Sequence, residues 1–118
     1  MHPLLINSLQ VMLGGALGSL LRYFCILWLP LPTLIVNIIG SLIIGYTYYK
    51  LGVHYPQYLP LINVGFLGGL TTFSSFSLET LNYIQEGNII KGIIYVLISV
   101  ITCVIASFLG YKLALALP

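Results

Sequence analysis

Residues 65–79 have the sequence GFLGGLTTFSSFSLE, and this stretch decides how the third apolar segment of the chain folds. Two adjacent glycines are followed by two adjacent threonines inside a segment that is otherwise suited to one long helix. Because glycine weakens helices and threonine competes for backbone hydrogen bonds, the pattern predicts a helix that is broken in mid-membrane. The alternative is an unbroken helix with a glycine packing face, in which each threonine bonds to its own backbone.

A broken helix would have chemical consequences in a membrane. Non-helical backbone is tolerated at membrane depth only where protein buries it or water reaches it. The carbonyl groups that a break frees are oxygen ligands for a hard cation, and the N-terminus of the following half-helix suits an anion. The stretch is therefore a candidate ion site.

The composition of the whole chain indicates that the bilayer is its solvent. Among 118 residues only 5 % are charged, against roughly a quarter in a soluble domain. The mean hydropathy is +1.08, and the four scattered Lys and Arg residues offer no nucleic-acid interface. Since one membrane pass takes about 20 apolar residues, we predict one all-α domain over residues 1–118. Its transmembrane helices are expected at about 4–28, 33–50, 59–85 and 89–117.

The cations are divided evenly between the two sides that four helices define. Lys50 and Lys112 fall on the side of the termini, and Arg22 and Lys91 fall toward the other. The positive-inside rule needs an excess of Lys and Arg on the cytoplasmic side. An even division predicts insertion in both orientations; the alternative is that the histidines or the depth of Arg22 set one orientation.

Small residues mark where helices approach one another. Gly14 and Gly18 have the GxxxG spacing, and Gly65 and Gly69 repeat it. In lipid, such residues let two backbones come close and so favour association. The spacing leaves open whether they pack one chain or join two.

Aromatic and polar side chains inside the apolar segments are candidates for binding a solute. Phe73 and Phe76 share a helix face, and the positive edge of an aromatic ring suits a small anion; simple packing is the alternative. Asn37 is a costly polar group at membrane depth. Arg22 and Glu79 are costlier still, and they either pair with each other or lie at opposite mouths of a pathway.

The fourth segment carries a line of hydroxyl groups. Tyr95, Ser99 and either Thr102 or Cys103 follow helical spacing. Hydroxyl groups in membrane helices often bond only to the backbone, so this line is a second candidate for a polar pathway rather than a proof of one.

Three stretches together closely resemble the bacterial Fluc (CrcB) fluoride channels: GFLGGLTTFSSFSLE at 65–79, GGALGSLLRY at 14–23 and VNIIGS at 36–41. The resemblance spans essentially the whole chain. It implies a channel for passive fluoride export in the cell (inner) membrane. It further implies an antiparallel, dual-topology homodimer with two pores and a central structural sodium ion, which the even division of cations fits independently.

The same resemblance implies roles for single residues. Phe73 and Phe76 would be the pore phenylalanines, contributed to each pore by different subunits, and Asn37 would be the pore asparagine. Carbonyl groups of Gly68 and Thr71 from both subunits would hold the sodium ion. The other residues of the implied fluoride pathway are Tyr95, Ser99, Thr102, Ser74 and Arg22, the last at an aqueous vestibule.

The chain departs from the family at one position of this pathway. Cys103 stands where the family usually has Ser or Thr. Beyond Ser99, the pathway therefore continues through Thr102 after a small helix rotation, or it is shorter here.

Other classes of protein fit less well. A small proton-coupled four-helix drug exporter has a similar length, but it needs a membrane-embedded carboxylate in its first segment, where the only charge is Arg22. A non-transporting assembly subunit would explain the small residues but not the hydroxyl-rich third segment. No P-loop, HExxH or CxxC motif is present, so the sequence predicts no enzyme.

Overall fold

The computed structural model describes residues 2–118 as an all-helical chain. Its elements are α1 (Pro3–Trp28), α2 (Pro32–His54), a 3-10 turn (Pro56–Tyr58), a π-helix (Pro60–Leu67), α3 (Gly68–Leu70), α4 (Phe73–Gln85) and α5 (Ile89–Ala116). Four candidate spans, long and apolar enough to cross a membrane, lie in the described part: Pro3–Trp28, Pro32–His54, Pro56–Gln85 and Ile89–Ala116. The prediction of an all-α protein with four membrane-spanning helices is confirmed.

The second span is longer than expected. The sequence predicts an end at about residue 50, but α2 continues to His54. Gly52 lies near the helix end, where a Cβ would meet nothing within 4 Å, and the first proline to follow is Pro56. The helix therefore ends just before the residue that cannot continue it.

The third span is a composite of four pieces. The π-helix and α3 lead to Thr71 (φ −85°, ψ 156°) and Thr72 (φ −150°, ψ 117°), which are both extended, and α4 begins at Phe73. Thr72 caps α4, because its Oγ1 accepts a hydrogen bond from the Ser75 N–H at 3.1 Å. The interruption thus falls at the threonines, one residue after the paired glycines.

Close backbone contacts at glycines hold the spans together. A Cβ at Gly18 would lie 2.1 Å from the Phe66 carbonyl oxygen, and one at Gly14 would lie 2.2 Å from that of Leu61. A Cβ at Gly110 would lie 2.0 Å from the Leu42 carbonyl oxygen. Glycines thus seat α1 on the π-helix and α5 on α2. The GxxxG pair of the first span packs within one chain.

The buried core is small and lies beside the interruption. Val36 of α2, Leu67 of the π-helix and Leu70 of α3 form one buried cluster, with Cys25 and Phe66 packed against it. Most other large apolar side chains are exposed, as suits helices whose outer faces meet lipid. The core therefore fixes the backbone on the N-terminal side of the interruption.

Candidate ion-binding cleft

A cleft of about 290 Å³ opens where the third span is interrupted. α2, α5 and both sides of the interruption form its walls, and its polar lining is Asn37, Ser41, Thr71, Thr72, Ser99 and Cys103. None of the lining residues, as far as residues 2–118 are concerned, is Lys, Arg, Asp or Glu. A solute in the cleft would meet hydroxyl, amide, thiol and aromatic groups rather than fixed charges.

Two phenylalanines stand at the cleft with different exposures. The rings of Phe73 and Phe76 are 5.3 Å apart, centroid to centroid, in an edge-type arrangement of 62°. Phe76 is 8 % exposed and also contacts the Tyr95 ring at 5.5 Å, whereas Phe73 is 76 % exposed. The structure therefore brings the predicted aromatic pair to one site, with Phe76 inside the chain and Phe73 on its outer surface.

Asn37 bonds to the interrupted backbone. Its Oδ1 accepts a hydrogen bond from the Thr72 N–H at 2.8 Å, and its Nδ2 donates to the Thr72 carbonyl at 3.1 Å. Asn37 is predicted from the sequence as a costly polar group at membrane depth, but its partner Thr72 is not predicted. A signal was available, since a break in a helix frees backbone groups that some side chain must satisfy.

Ser99 lies deep in the cleft without a partner. It is 6 % exposed, and its Oγ has no hydrogen-bond partner within residues 2–118. A buried hydroxyl group without a partner is costly, and such groups often mark a site for a ligand or a water molecule. The predicted pathway residue Ser99 is therefore the one whose hydroxyl group is free.

The structure also separates Thr102 from Cys103. Cys103 lines the cleft. Thr102 is not among the lining residues, and its Oγ1 donates to the Ile98 carbonyl at 2.6 Å, one turn back along α5. The structure thus does not bring Thr102 to the site, and the thiol of Cys103 occupies the place next to Ser99.

Backbone carbonyl groups at the interruption have lost their helical donors. In an unbroken helix the Gly68 carbonyl would accept from the Thr72 N–H, which instead donates to Asn37. The Thr71 carbonyl would accept from the Ser75 N–H, which instead donates to the Thr72 hydroxyl group. These are the two carbonyl groups that the resemblance assigns to sodium.

Arg22 and Ser74 lie at the edge of the interruption rather than in the cleft. Arg22 Nε donates to the Gly69 carbonyl at 3.0 Å, so this guanidinium contacts the third span. Ser74 Oγ lies 3.3 Å from the Thr72 Oγ1 and is absent from the cleft lining. Arg22 and Glu79 do not bond to each other, since each has other partners in the described chain.

Glu79 sits in a second cleft, of about 320 Å³, near the start of α2. Its Oε1 accepts from the Thr33 hydroxyl group at 2.5 Å, and its Oε2 accepts from the Tyr95 hydroxyl group. Tyr95 therefore joins the two clefts, with its ring against Phe76 and its hydroxyl group on Glu79. The role of Thr33 is not predicted from the sequence, although a carboxylate inside a span must find hydrogen-bond donors.

These features define a class of protein: a small four-span membrane protein with a cleft of about 290 Å³, lined by uncharged polar and apolar residues, beside an interrupted helix. The chain belongs to the CrcB family, because the family model described as "CrcB-like protein, Camphor Resistance (CrcB)" matches residues 9–111. It is a multi-pass protein of the bacterial cell membrane. The resemblance found in the sequence is thereby confirmed.

Individual relatives are similar over nearly their whole length. A protein of Hahella chejuensis is 42 % identical, and the match covers 91 % of this chain and 93 % of the relative. A protein of Shewanella amazonensis is 43 % identical, with 91 % and 94 % covered. Both are named "Fluoride-specific ion channel FluC", which describes a channel and not an enzyme.

Proposed function

We propose that this protein is a fluoride-selective channel that lets fluoride leave the cell passively. The observation that carries the proposal is the buried, unpartnered hydroxyl group of Ser99 in a cleft that also holds Asn37 and Phe76. An anion that has lost its water needs hydrogen-bond donors, and a hydroxyl group without a partner is able to donate to it. The family to which the chain belongs, and the names of its relatives, support the choice of fluoride.

The chemistry of the cleft suits a small, strongly hydrated anion that must both bind and leave. The Asn37 amide, the Ser99 hydroxyl group and the ring edge of Phe76 supply partial positive charge. Conduction needs several weak sites rather than one strong site. A cleft without Lys or Arg side chains meets that need, because a fixed cation would hold the anion too firmly.

The proposed assembly is an antiparallel homodimer with two fluoride pathways. Phe73 projects from the chain at 76 % exposure beside an open polar cleft. Polar backbone and an open cleft are unfavourable against lipid, and a second copy would cover them. Each pathway would then receive Phe76 from one subunit and Phe73 from the other.

We further propose a structural sodium ion where two interruptions meet at mid-membrane. The Gly68 and Thr71 carbonyl groups have lost their helical donors, and two chains would present four such oxygens. Backbone carbonyl groups are ligands for a hard cation. The ion would satisfy oxygens that lipid cannot satisfy.

A flux assay in liposomes tests the function. Liposomes that contain the purified protein should release fluoride faster than chloride. They should show no proton-coupled transport of a cationic drug. Ser99→Ala should lower fluoride flux at least about tenfold, since losing roughly 1.4 kcal/mol of anion stabilisation at the barrier has that effect. The matched control is Ser8→Ala, because within residues 2–118 the Ser8 hydroxyl group bonds only to the Leu4 carbonyl on the exposed side of α1.

The opposite results identify the alternatives. Equal release of fluoride and chloride would overturn fluoride selectivity. Proton-driven drug movement without fluoride release would support the small multidrug-type exporter instead, and a Ser99→Ala variant with wild-type flux would remove Ser99 from the pathway.

A further inference from the structure

The interruption of the third span leaves Thr72 without its helical partners. The Thr72 N–H has no bulk water to donate to at this depth. Its helical acceptor, the Gly68 carbonyl, no longer lies in the same helix. Thr72 is only 8 % exposed. Its backbone groups therefore need partners from elsewhere in the protein.

One side chain meets both needs. The Asn37 amide accepts from the Thr72 N–H at 2.8 Å and donates to the Thr72 carbonyl at 3.1 Å. A carboxamide presents an acceptor and a donor side by side in one plane without needing to take up a proton. Leucine at this position has neither group, a charged aspartate lacks the donor, and serine offers one shorter side-chain oxygen in place of the two separate amide atoms.

The position of Thr72 determines where the aromatic pair lies. Thr72 is the N-cap of α4, and Phe73 and Phe76 lie in the first turns of that helix. We infer that Asn37 is a positioning residue: by holding Thr72 through both backbone groups, it sets the interruption and so places Phe73 and Phe76. This role is separate from any contact between Asn37 and an anion, and only its link to conduction rests on the proposed function.

The two roles of Asn37 differ in what happens without fluoride. A residue that only binds the anion leaves the empty protein unchanged when it is replaced. A positioning residue protects the Thr72 amide in the empty protein as well, because the hydrogen bond belongs to the protein itself. Amide hydrogen exchange in fluoride-free buffer therefore distinguishes them.

The experiment compares variants of the full-length protein in nanodiscs, with exchange of the Thr72 amide followed by NMR. In fluoride-free buffer, Asn37→Leu should raise its exchange rate at least about tenfold, the factor expected for losing one net hydrogen bond. Asn37→Ser should do the same and serves if the leucine variant does not fold. The matched control is Ser41→Ala, which removes a hydroxyl group from the same cleft one turn along α2 and leaves the Thr72 bonds intact.

The outcomes are distinct from those of the flux assay. A wild-type exchange rate at Thr72 in a folded Asn37 variant would overturn the positioning role, whatever the flux. A faster exchange rate confined to the Asn37 variants would support it even if the protein were found to move another solute. Faster exchange in Ser41→Ala as well would overturn the assignment to Asn37.

Discussion

Phe73 and Phe76 lie one helical turn apart, yet they differ in what surrounds them. The Phe76 ring is enclosed by Phe73 and Tyr95, and Phe73 is largely exposed on a single chain. Phe76→Ile keeps an apolar side chain but removes the positive ring edge. We expect fluoride flux in liposomes to fall at least about tenfold, the effect of roughly 1.4 kcal/mol at the barrier. The oligomeric state measured by size-exclusion chromatography should stay that of the wild type.

A control separates ring-edge chemistry from general packing. Phe24 stacks on Trp28 at 5.9 Å on α1, away from the cleft, and Phe24→Ile should leave flux near the wild-type value. Phe73→Ile should reduce flux as well if a partner chain completes the pathway. Normal flux in both Phe73→Ile and Phe76→Ile would show that the rings only pack.

Chemical modification of the Cys103 thiol provides a second test of the cleft. Its thiol lines the cleft, whereas the protein's other cysteine, Cys25, packs against the buried core. A small neutral methanethiosulfonate converts a thiolate to a mixed disulfide as sulfinate leaves, and the added group would fill the cleft. We expect the reagent to abolish most of the flux of the wild type and of Cys25→Ala.

The comparison is made against each variant's own untreated flux. Cys103→Ser should lose the sensitivity, because no thiol then lines the cleft. A Cys103→Ser variant that is still inhibited would contradict the placement of this side chain beside the pathway.

At the same scale, residue types were easier to predict from sequence than residue partners. Asn37, Phe76 and Ser99 were singled out because each is unusual or regularly spaced in an apolar segment, and all three line one cleft. The bond between Asn37 and Thr72 spans 35 positions, and no periodicity reports such a contact. Thr102 and Cys103 differ by one helical step of about 100°, which sequence spacing alone does not resolve.

Among the elements, the third span contains one feature that the sequence predicts, the interruption, and one that it does not predict, the π-helix. The Gly-Gly-x-Thr-Thr pattern placed the interruption within a few residues, because glycine and threonine each weaken a helix for a local reason. The π-helix Pro60–Leu67 was not predicted. Gly65 of this element lies against α1, where a Cβ would be 3.0 Å from the Gly14 Cα, and local sequence patterns do not report such a tertiary contact.

Two adjacent glycines of this span should respond differently to the same substitution. A Cβ at Gly69 would lie 2.7 Å from the Gly15 carbonyl oxygen, whereas a Cβ at Gly68 would meet only the Asn63 carbonyl oxygen at 3.8 Å. Gly69→Ala should therefore destabilise the single chain by about 1–3 kcal/mol. Gly68→Ala fits within one chain, so any loss would come from the proposed sodium site and the second subunit.

Thermal unfolding in detergent, with and without sodium, measures the difference. Without sodium, Gly69→Ala should unfold at a lower temperature than the wild type, and Gly68→Ala should match the wild type. With sodium, the wild type should gain stability and Gly68→Ala should gain less. Equal losses for both variants in sodium-free buffer would contradict the local geometry, and no effect of sodium on the wild type would count against the ion.

In the molecule as a whole, the four Lys and Arg side chains are divided evenly between the two ends of the helix bundle. Lys50 Nζ donates to the Leu117 carbonyl at 2.6 Å, which places Lys50 at the same end of the bundle as the C-terminus and Lys112. Arg22 and Lys91 lie toward the other end. Neither end holds an excess, so the positive-inside rule gives the chain no preferred orientation.

Two matched substitutions should bias the orientation in opposite directions. Lys91 and Lys112 each make a cation–π contact, the first with Tyr83 at 5.6 Å and the second with Phe108 at 5.3 Å. Replacing either lysine therefore removes one contact of the same kind. Lys91→Ser leaves the cationic excess at the end with the termini, and that end should then face the cytoplasm. Lys112→Ser leaves the excess at the opposite end and should turn the termini outward.

The measurement is the accessibility of a C-terminal tag from each side of the membrane. We expect about half of wild-type chains to be labelled from outside, few chains of Lys91→Ser and most chains of Lys112→Ser. Because an antiparallel dimer needs both orientations, each variant alone should lose most of its flux, and co-expression of the two variants should restore it. A single orientation in all wild-type molecules would contradict dual topology. Full flux from either variant alone would show that the conducting unit needs only one orientation.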